Sequence, residues 1–459
     1  MKQILILAVL LNLVTSSFGQ DSRQDKRLAK YVDNIISEKF EDSTPGCAVL
    51  VAKNGKIILE KGYGIANLEL NASVKPEMVF RIGSITKQFT AVAILQLIEK
   101  GELSLNDSIQ RVIPNFNTRG KIITIENLLT HTSGIIGYER FDSKIPNAMR
   151  VEFKPEVIID SLNGFSLEFE PNTKFNYSNS NYFLLGYMIE KITGKSYQQY
   201  LRENIIEPAG LSTTYYDSQT KIIPNRASGY SYWDGAYHNS EFISMSLAYS
   251  AGAMISSVGD LFKWHQALYA NKLLKKETLD RALTPYRLAD GSKIAYGYGF
   301  FIIQEEEFKS IGHGGAIDGF KAGETYFPEE DIFIAVLCNT EREQSEQMIN
   351  IIEDAVLNNN ITKTKGKVVL SESTLDSYVG TYTNEEYGES LYVYKENGRL
   401  YGDLSNGTGR HMVFKPLSKT KFLLPQIIRI RTTCDFILED NNVTKIIFYQ
   451  EKANEFIRK

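Results

Sequence analysis

The stretch 89–98 is apolar on nearly every side. Phe89, Ala91, Val92, Ala93, Ile94, Leu95, Leu97 and Ile98 leave no solvent-facing stripe. A helix of that kind lies in the middle of a core, so the chain must wrap other elements around it. Gly101 is its stop signal, and Ser84-Ile85-Thr86-Lys87 is its start. Ser84 therefore stands at the N-terminus of a buried helix, with Lys87 three residues on and on the same face. A serine hydroxyl is a poor nucleophile until a base takes its proton. Lysine serves as that base where burial or a neighbouring cation lowers its pKa. The helix N-terminus adds a field that favours negative charge at the attacked centre. A bare Ser-x-x-Lys is also what an N-cap serine and a solvated lysine look like, so the pair needs company before it means chemistry.

The periodicity elsewhere says what surrounds the core helix. Residues 27–40 carry Leu28, Tyr31, Val32, Ile35, Ile36 and Phe40 at helical spacing. A hairpin follows: strand 47–52, the turn pair Asn54-Gly55, strand 57–62. Helical and turn-rich segments fill the chain to about residue 290. Strands are expected again at 298–303, 308–312, 319–327 and 332–339, with a closing helix at 343–357. Strands at both ends and helices between predict an α/β (α+β) domain, in which the terminal strands share one antiparallel sheet flanked by helices. A polar, Lys-rich linker is expected over 361–370. Residues 371–459 read as strand and turn: a hairpin 391–395/400–404 around Asn397-Gly398, then 412–417, 421–424, 427–432, 435–438 and 445–450. That predicts a small all-β domain, a meander or an up-and-down barrel.

The first 19 residues have the pattern of a cleavable export signal. Lys2 precedes an apolar run over 4–14, and Ser17-Phe18-Gly19 supplies small residues for a cut before Gln20. The run is shorter than the ~20 residues of a spanning helix, which argues against an anchor. The expected location is periplasmic or secreted, and the catalytic domain is expected over 20–360. With 51 Lys+Arg against 55 Asp+Glu, the net charge of −4 offers no footprint for nucleic acid or an anionic membrane. Cys47, Cys338 and Cys434 sit in apolar, strand-like surroundings and read as buried, inert thiols.

Two further elements accompany the Ser84–Lys87 pair. Tyr177-Ser178-Asn179 follows a turn at Glu170-Pro171-Asn172 and precedes an apolar helix closed by Gly194. On a loop, a Tyr-x-Asn aims a phenol and an amide at one point, able to shuttle a proton and to hold an amine or a carbonyl. His313-Gly314-Gly315-Ala316 ends the strand that starts at Phe308. Its glycines let backbone approach a ligand closely. The Ala316 N–H can pair with that of Ser84 as an oxyanion hole, where a donor is worth ~3 kcal/mol in the transition state.

The order and spacing of the three elements resemble the serine β-lactamase and penicillin-binding-protein superfamily, most closely class C β-lactamases, D-Ala-D-Ala carboxypeptidases and related esterases. The likeness extends to Phe80-Arg81-Ile82-Gly83 before Ser84, to Ile123-Thr124-Ile125 and to Leu128-Leu129-Thr130-His131-Thr132-Ser133-Gly134. It continues through Phe175-Asn176, Leu185-Gly186, Thr193-Gly194, residues 208–211 and 250–264, and Tyr296-Gly297-Tyr298-Gly299, so it covers about 30–357. The resemblance implies an α/β domain beside an all-α insertion. It implies Ser84 as nucleophile, Lys87 and Tyr177 as proton-transfer partners, Asn179 on the lysine or the substrate amide, and Ser84 and Ala316 as oxyanion donors beside Gly315. His313 takes the place that faces a substrate carboxylate or leaving group, where most β-lactamases carry Lys-Thr-Gly. Histidine holds a carboxylate less firmly than lysine, which counts against efficient β-lactam hydrolysis.

His131 reads as structural, in a loop outside the reaction centre. The five histidines form no H-x-H or H-E-x-x-H pattern, so a metallo-hydrolase is disfavoured and no cofactor is implied. The expected substrate is a small molecule or peptide, cell-wall-derived ones included, bearing an amide or an ester. The alternatives are a β-lactamase, an acyltransferase, or a slow-turnover protein that stays acylated and acts as a sensor.

Overall fold

A strand that is apolar on both faces has to be covered on both sides. Cys47–Lys53 (β1) is such a strand, buried along nearly its whole length. The computed structural model describes residues 25–38, 40, 43–138, 149–304, 309–341, 352, 368, 370–385, 388–396, 398–404, 411–416, 418–424, 432–439, 442–449 and 453–459. The expected export signal, most of the expected linker, most of the closing helix expected at 343–357 and all but the last residue of the strand expected at 427–432 lie outside these residues.

β1 turns at Asn54 and Gly55, both with positive φ, into Lys56–Tyr63 (β2). Its other edge pairs with a strand from far along the chain. Phe301–Gln304 (β3), Lys309–Ile317 (β4), Phe320–Phe327 (β5) and Ile332–Cys338 (β6) complete an antiparallel six-stranded sheet of order β3-β4-β5-β6-β1-β2. The expected union of the two sequence ends in one sheet is observed. Two details differ. The strand expected from residue 298 begins at Phe301, because Gly299 takes φ +84° and makes a turn. The strand expected to end at residue 312 instead runs through the His313 motif to Ile317.

Side chains alternate across this sheet. Cys47, Val49, Val51, Ile334 and Val336 face Leu28, Val32 and Ile36 of the helix at 25–37. Cys47 and Cys338 stand opposite one another there, and burial pushes the Cys47 thiol well up. Ala48, Leu50, Ala335 and Leu337 face the larger core. In that core lie Thr86–Glu99 (α1), Asn179–Thr193 (α2), Met245–Gly252 (α3) and Val258–Tyr269 (α4). α1 is buried all round, as its composition requires. It is tied to the sheet by a polar chain: Trp264 stacks on Phe89 at 4.1 Å and donates through Nε1 to Gln88 Oε1 (2.9 Å), whose amide donates to Glu324 Oε1 of β5 (2.5 Å).

The C-terminal region is a closed eight-stranded barrel from Gly380–Asn384 to Ala453–Arg458, whose first and last strands pair. Eight strands leave an interior that side chains alone fill. Here Leu391, Val393, Leu400, Phe414, Phe422, Phe436, Ile446 and Phe448 do so, with Tyr378 of helix Glu372–Tyr378 packed against Phe422 and Phe436. No break separates residues 432 and 435; Thr432–Glu439 is one strand with Cys434 inside it.

Burial raises the Glu324 carboxyl from 4.5 to about 7, so the folded state holds that proton more tightly than the unfolded chain. The stabilisation is complete below the unfolded value and is lost as pH rises toward 7. Glu324→Gln keeps the acceptor for Gln88 and should remove this loss, flattening stability between pH 4.5 and 7 relative to wild type in paired urea titrations.

Candidate active site

Ser84 occupies a single tight turn, Gly83–Ile85, that leads directly into α1. It is half-buried, whereas Lys87 is wholly buried. Lys87 Nζ lies 3.0 Å from Ser84 Oγ, 2.7 Å from Asn179 Oδ1 and 2.8 Å from the Ala251 carbonyl oxygen. Three elements thus converge on one nitrogen: the start of α1, the start of α2 and the end of α3. Asn179 is the first residue of α2, with Ser178 as N-cap, rather than a loop residue as expected. As an amine, Lys87 would direct its two N–H groups at the two carbonyl oxygens and its lone pair at the serine hydroxyl.

The Ala251 carbonyl is a functional group that no side-chain pattern reveals, and its placement is bought with strain. Tyr249 breaks α3 at φ 38°, ψ −132°, a conformation unfavourable for a side-chain-bearing residue. The kink turns the Ser250 carbonyl to Thr90 Oγ1 (2.7 Å) and the Ala251 carbonyl to Lys87. Ser250 Oγ donates to the Tyr182 carbonyl of α2 (2.8 Å). Gly186 permits that approach, since a Cβ there would come within 2.0 Å of Ser250 Oγ.

Tyr177 presents its ring face to the lysine, 4.9 Å from Nζ. Behind it lies His131, its ring 4.3 Å from that of Tyr177 and 5.0 Å from those of Tyr182 and Tyr296. The loop expected to lie outside the reaction centre thus packs directly against it through the His131 ring. What brings it there is backbone pairing of Thr132 with Asn172 and of Gly134 with Glu168, contacts that spacing along the chain does not encode.

β4 forms the opposite wall. Gly83 takes φ +49°, and a Cβ on it would lie 2.8 Å from Ala316 N; a Cβ on Gly315 would lie 2.0 Å from Ile82 O and 3.0 Å from Ser84 N. These two glycines let the serine turn and the strand touch, which brings the Ser84 and Ala316 amides to one place. His313 is buried. Its Nδ1 lies 2.5 Å from the Gly314 carbonyl and its Nε2 3.2 Å from Tyr296 Oη. The carbonyl can only accept, so the proton sits on Nδ1 and the tyrosine donates to Nε2. Burial holds the ring pKa at about 3. Ser84, Lys87, Tyr177, Asn179, His313, Gly315 and Ala316 are all brought together.

Residues 26–357 match the family model described as Beta-lactamase, and residues 364–457 match a domain of unknown function, DUF3471. A penicillin-binding protein of Bacillus subtilis (strain 168) is 27% identical over 455 residues, covering 94% of this chain and 98% of its own. The octameric penicillin-binding protein homologue of Pyrococcus abyssi superposes with a TM-score of 0.64 at 25% identity, over 93% of this chain and 99% of that one. The D-amino acid amidase of Ochrobactrum anthropi shares the fold, with a TM-score of 0.63 at 23% identity over 72% of this chain and 99% of its own.

With a pKa near 3, the His313 imidazole should remain the neutral Nδ1–H tautomer from pH 8 down to pH 5. Ring-carbon NMR shifts recorded against pH test this; a midpoint near 6.5 would contradict the buried, Tyr296-capped arrangement.

Proposed function

Because the chain belongs to the β-lactamase family, we propose that it is an exported serine hydrolase that opens an amide or ester through an acyl-enzyme on Ser84, its substrate a D-amino-acid peptide or a small ester. The observation that carries this is Lys87 Nζ at 3.0 Å from Ser84 Oγ, with carbonyl oxygens in hydrogen-bond reach of its other two positions. In the amine form, Lys87 takes the hydroxyl proton as Ser84 Oγ attacks the substrate carbonyl carbon. The oxygen that gains negative charge lies between the Ser84 and Ala316 N–H groups. Tyr177, against the lysine, passes the proton to the leaving nitrogen or oxygen as the C–N or C–O bond breaks. Water then attacks the acyl carbon, its proton returns through the same groups, and Ser84 leaves.

His313 supports an amide or ester substrate over a β-lactam. A neutral ring, capped by Tyr296 and donating to Gly314, brings no cation for a substrate carboxylate. The name of the D-amino acid amidase that shares the fold agrees with an amide substrate.

Ser84→Ala should abolish turnover of p-nitrophenyl acetate and of a C-terminally amidated D-amino-acid peptide. Lys87→Met and Tyr177→Phe should each lower the acylation rate by about 10²–10⁴, the usual worth of a positioned proton-transfer group. Circular dichroism should show the same fold in all three. Wild-type acylation in either of the latter two would refute its role.

A further inference from the structure

One buried polar side chain beside the proton relay has no part in it. His131 is wholly buried, and its Nε2 has no hydrogen-bond partner among the described residues. Its tautomer follows from its neighbours. Ser133 Oγ lies 2.6 Å from Asn181 Oδ1, so the amide NH₂ of Asn181 is the end that faces His131. Nδ1 then meets two donors, Asn181 Nδ2 at 3.3 Å and the Ser178 N–H at 3.2 Å. A nitrogen facing two donors carries the lone pair, which puts the proton on Nε2. The ring is neutral, because burial pushes its pKa well below 6.5.

The contacts of His131 fall on both sides of one residue. Its carbonyl oxygen accepts from the Asn176 N–H (3.0 Å), and its ring nitrogen accepts from the Ser178 N–H (3.2 Å). Between those two amides is Tyr177, whose ring lies against the imidazole. Main chain and side chain of a single residue can reach both amides here because His131 adopts the left-handed conformation, φ +56°, at a cost of order 1 kcal/mol. Histidine is among the residue types that tolerate it.

We propose that His131 is the positioning residue for Tyr177: it clamps the backbone on either side of the tyrosine and so fixes the phenol against Lys87. The inference rests on the relay assigned above to Tyr177. A clamp matters to rate because a proton-transfer group displaced by about 1 Å loses on the order of 10²-fold. A histidine that only filled core volume would support stability and leave the action of Tyr177 untouched.

The test is a double-mutant cycle on the full chain, read as kcat/KM per site titrated by burst amplitude. His131→Asn places Oδ1 where Nδ1 stood and tolerates the left-handed backbone, so it should keep activity within about threefold. His131→Phe keeps a ring but removes the acceptor, and should lower kcat/KM at least tenfold, in kcat more than in KM. In a Tyr177→Phe background His131→Phe should cost less than twofold more, since the residue it positions has lost its hydroxyl. If His131→Phe does not fold, His131→Ala takes its place in the same cycle. Additive losses, or a loss in His131→Asn as large as that in His131→Phe, would overturn the clamp. Wild-type rates in Tyr177→Phe alone would instead remove the relay, and the clamp's purpose with it.

Discussion

A buried lysine amine with three oxygens around it governs the layout of this protein. Burying a polar nitrogen is costly unless its hydrogen-bonding directions are used. At Lys87 they are met by the Ser84 hydroxyl, the Asn179 amide and the Ala251 carbonyl, from three separate stretches of chain. Each neighbour has to be held to within a few tenths of an ångström, and the surrounding fold supplies that. α1 is locked by burial on every side, α2 presents Asn179 at its first turn, and α3 kinks at Tyr249 to deliver a carbonyl that a regular helix would keep for itself. The strain at Tyr249 is local, and the surrounding core is large enough to sustain it.

The second constraint is how closely two backbones approach. The serine turn and β4 meet at Gly83 and Gly315, where any side chain would collide with main chain. That contact joins residues more than two hundred positions apart, and it depends on β1 pairing with β6 to place both ends of the domain in one sheet. The sheet thus assembles one wall of the centre, and the helices assemble the other.

Much of this was legible in the residues. Ser84 and Lys87 announce themselves because an all-apolar helix can only be central, and what stands at its N-terminus is then buried with it. The six strands follow from apolar runs and the Asn54-Gly55 turn. Other parts depend on information that local pattern lacks. Ala251 acts through its carbonyl, which every residue possesses. His131 gains its place through pairing of 132–134 with 168–172, a tertiary event. Gly299 sits in a run that looks like strand but takes a left-handed turn, which delays β3 by three residues. In the barrel, the Asn397-Gly398 turn signal between the apolar-rich runs 391–395 and 400–404 marks one hairpin. The closing strands Gly380–Asn384 and Ala453–Arg458 are polar at half or more of their positions and take strand form from pairing with the strands Glu389–Glu396 and Asn442–Tyr449 and, at Tyr382 and Thr383, with each other.

The most direct test of the central claim is intact-protein mass spectrometry after brief exposure to a fluorophosphonate and to a p-nitrophenyl ester, followed by peptide mapping. The account predicts a single adduct on Ser84, formed quickly in the wild type, slowly in Lys87→Met and not at all in Ser84→Ala. An adduct on another residue, or equal labelling rates with and without the lysine amine, would contradict it.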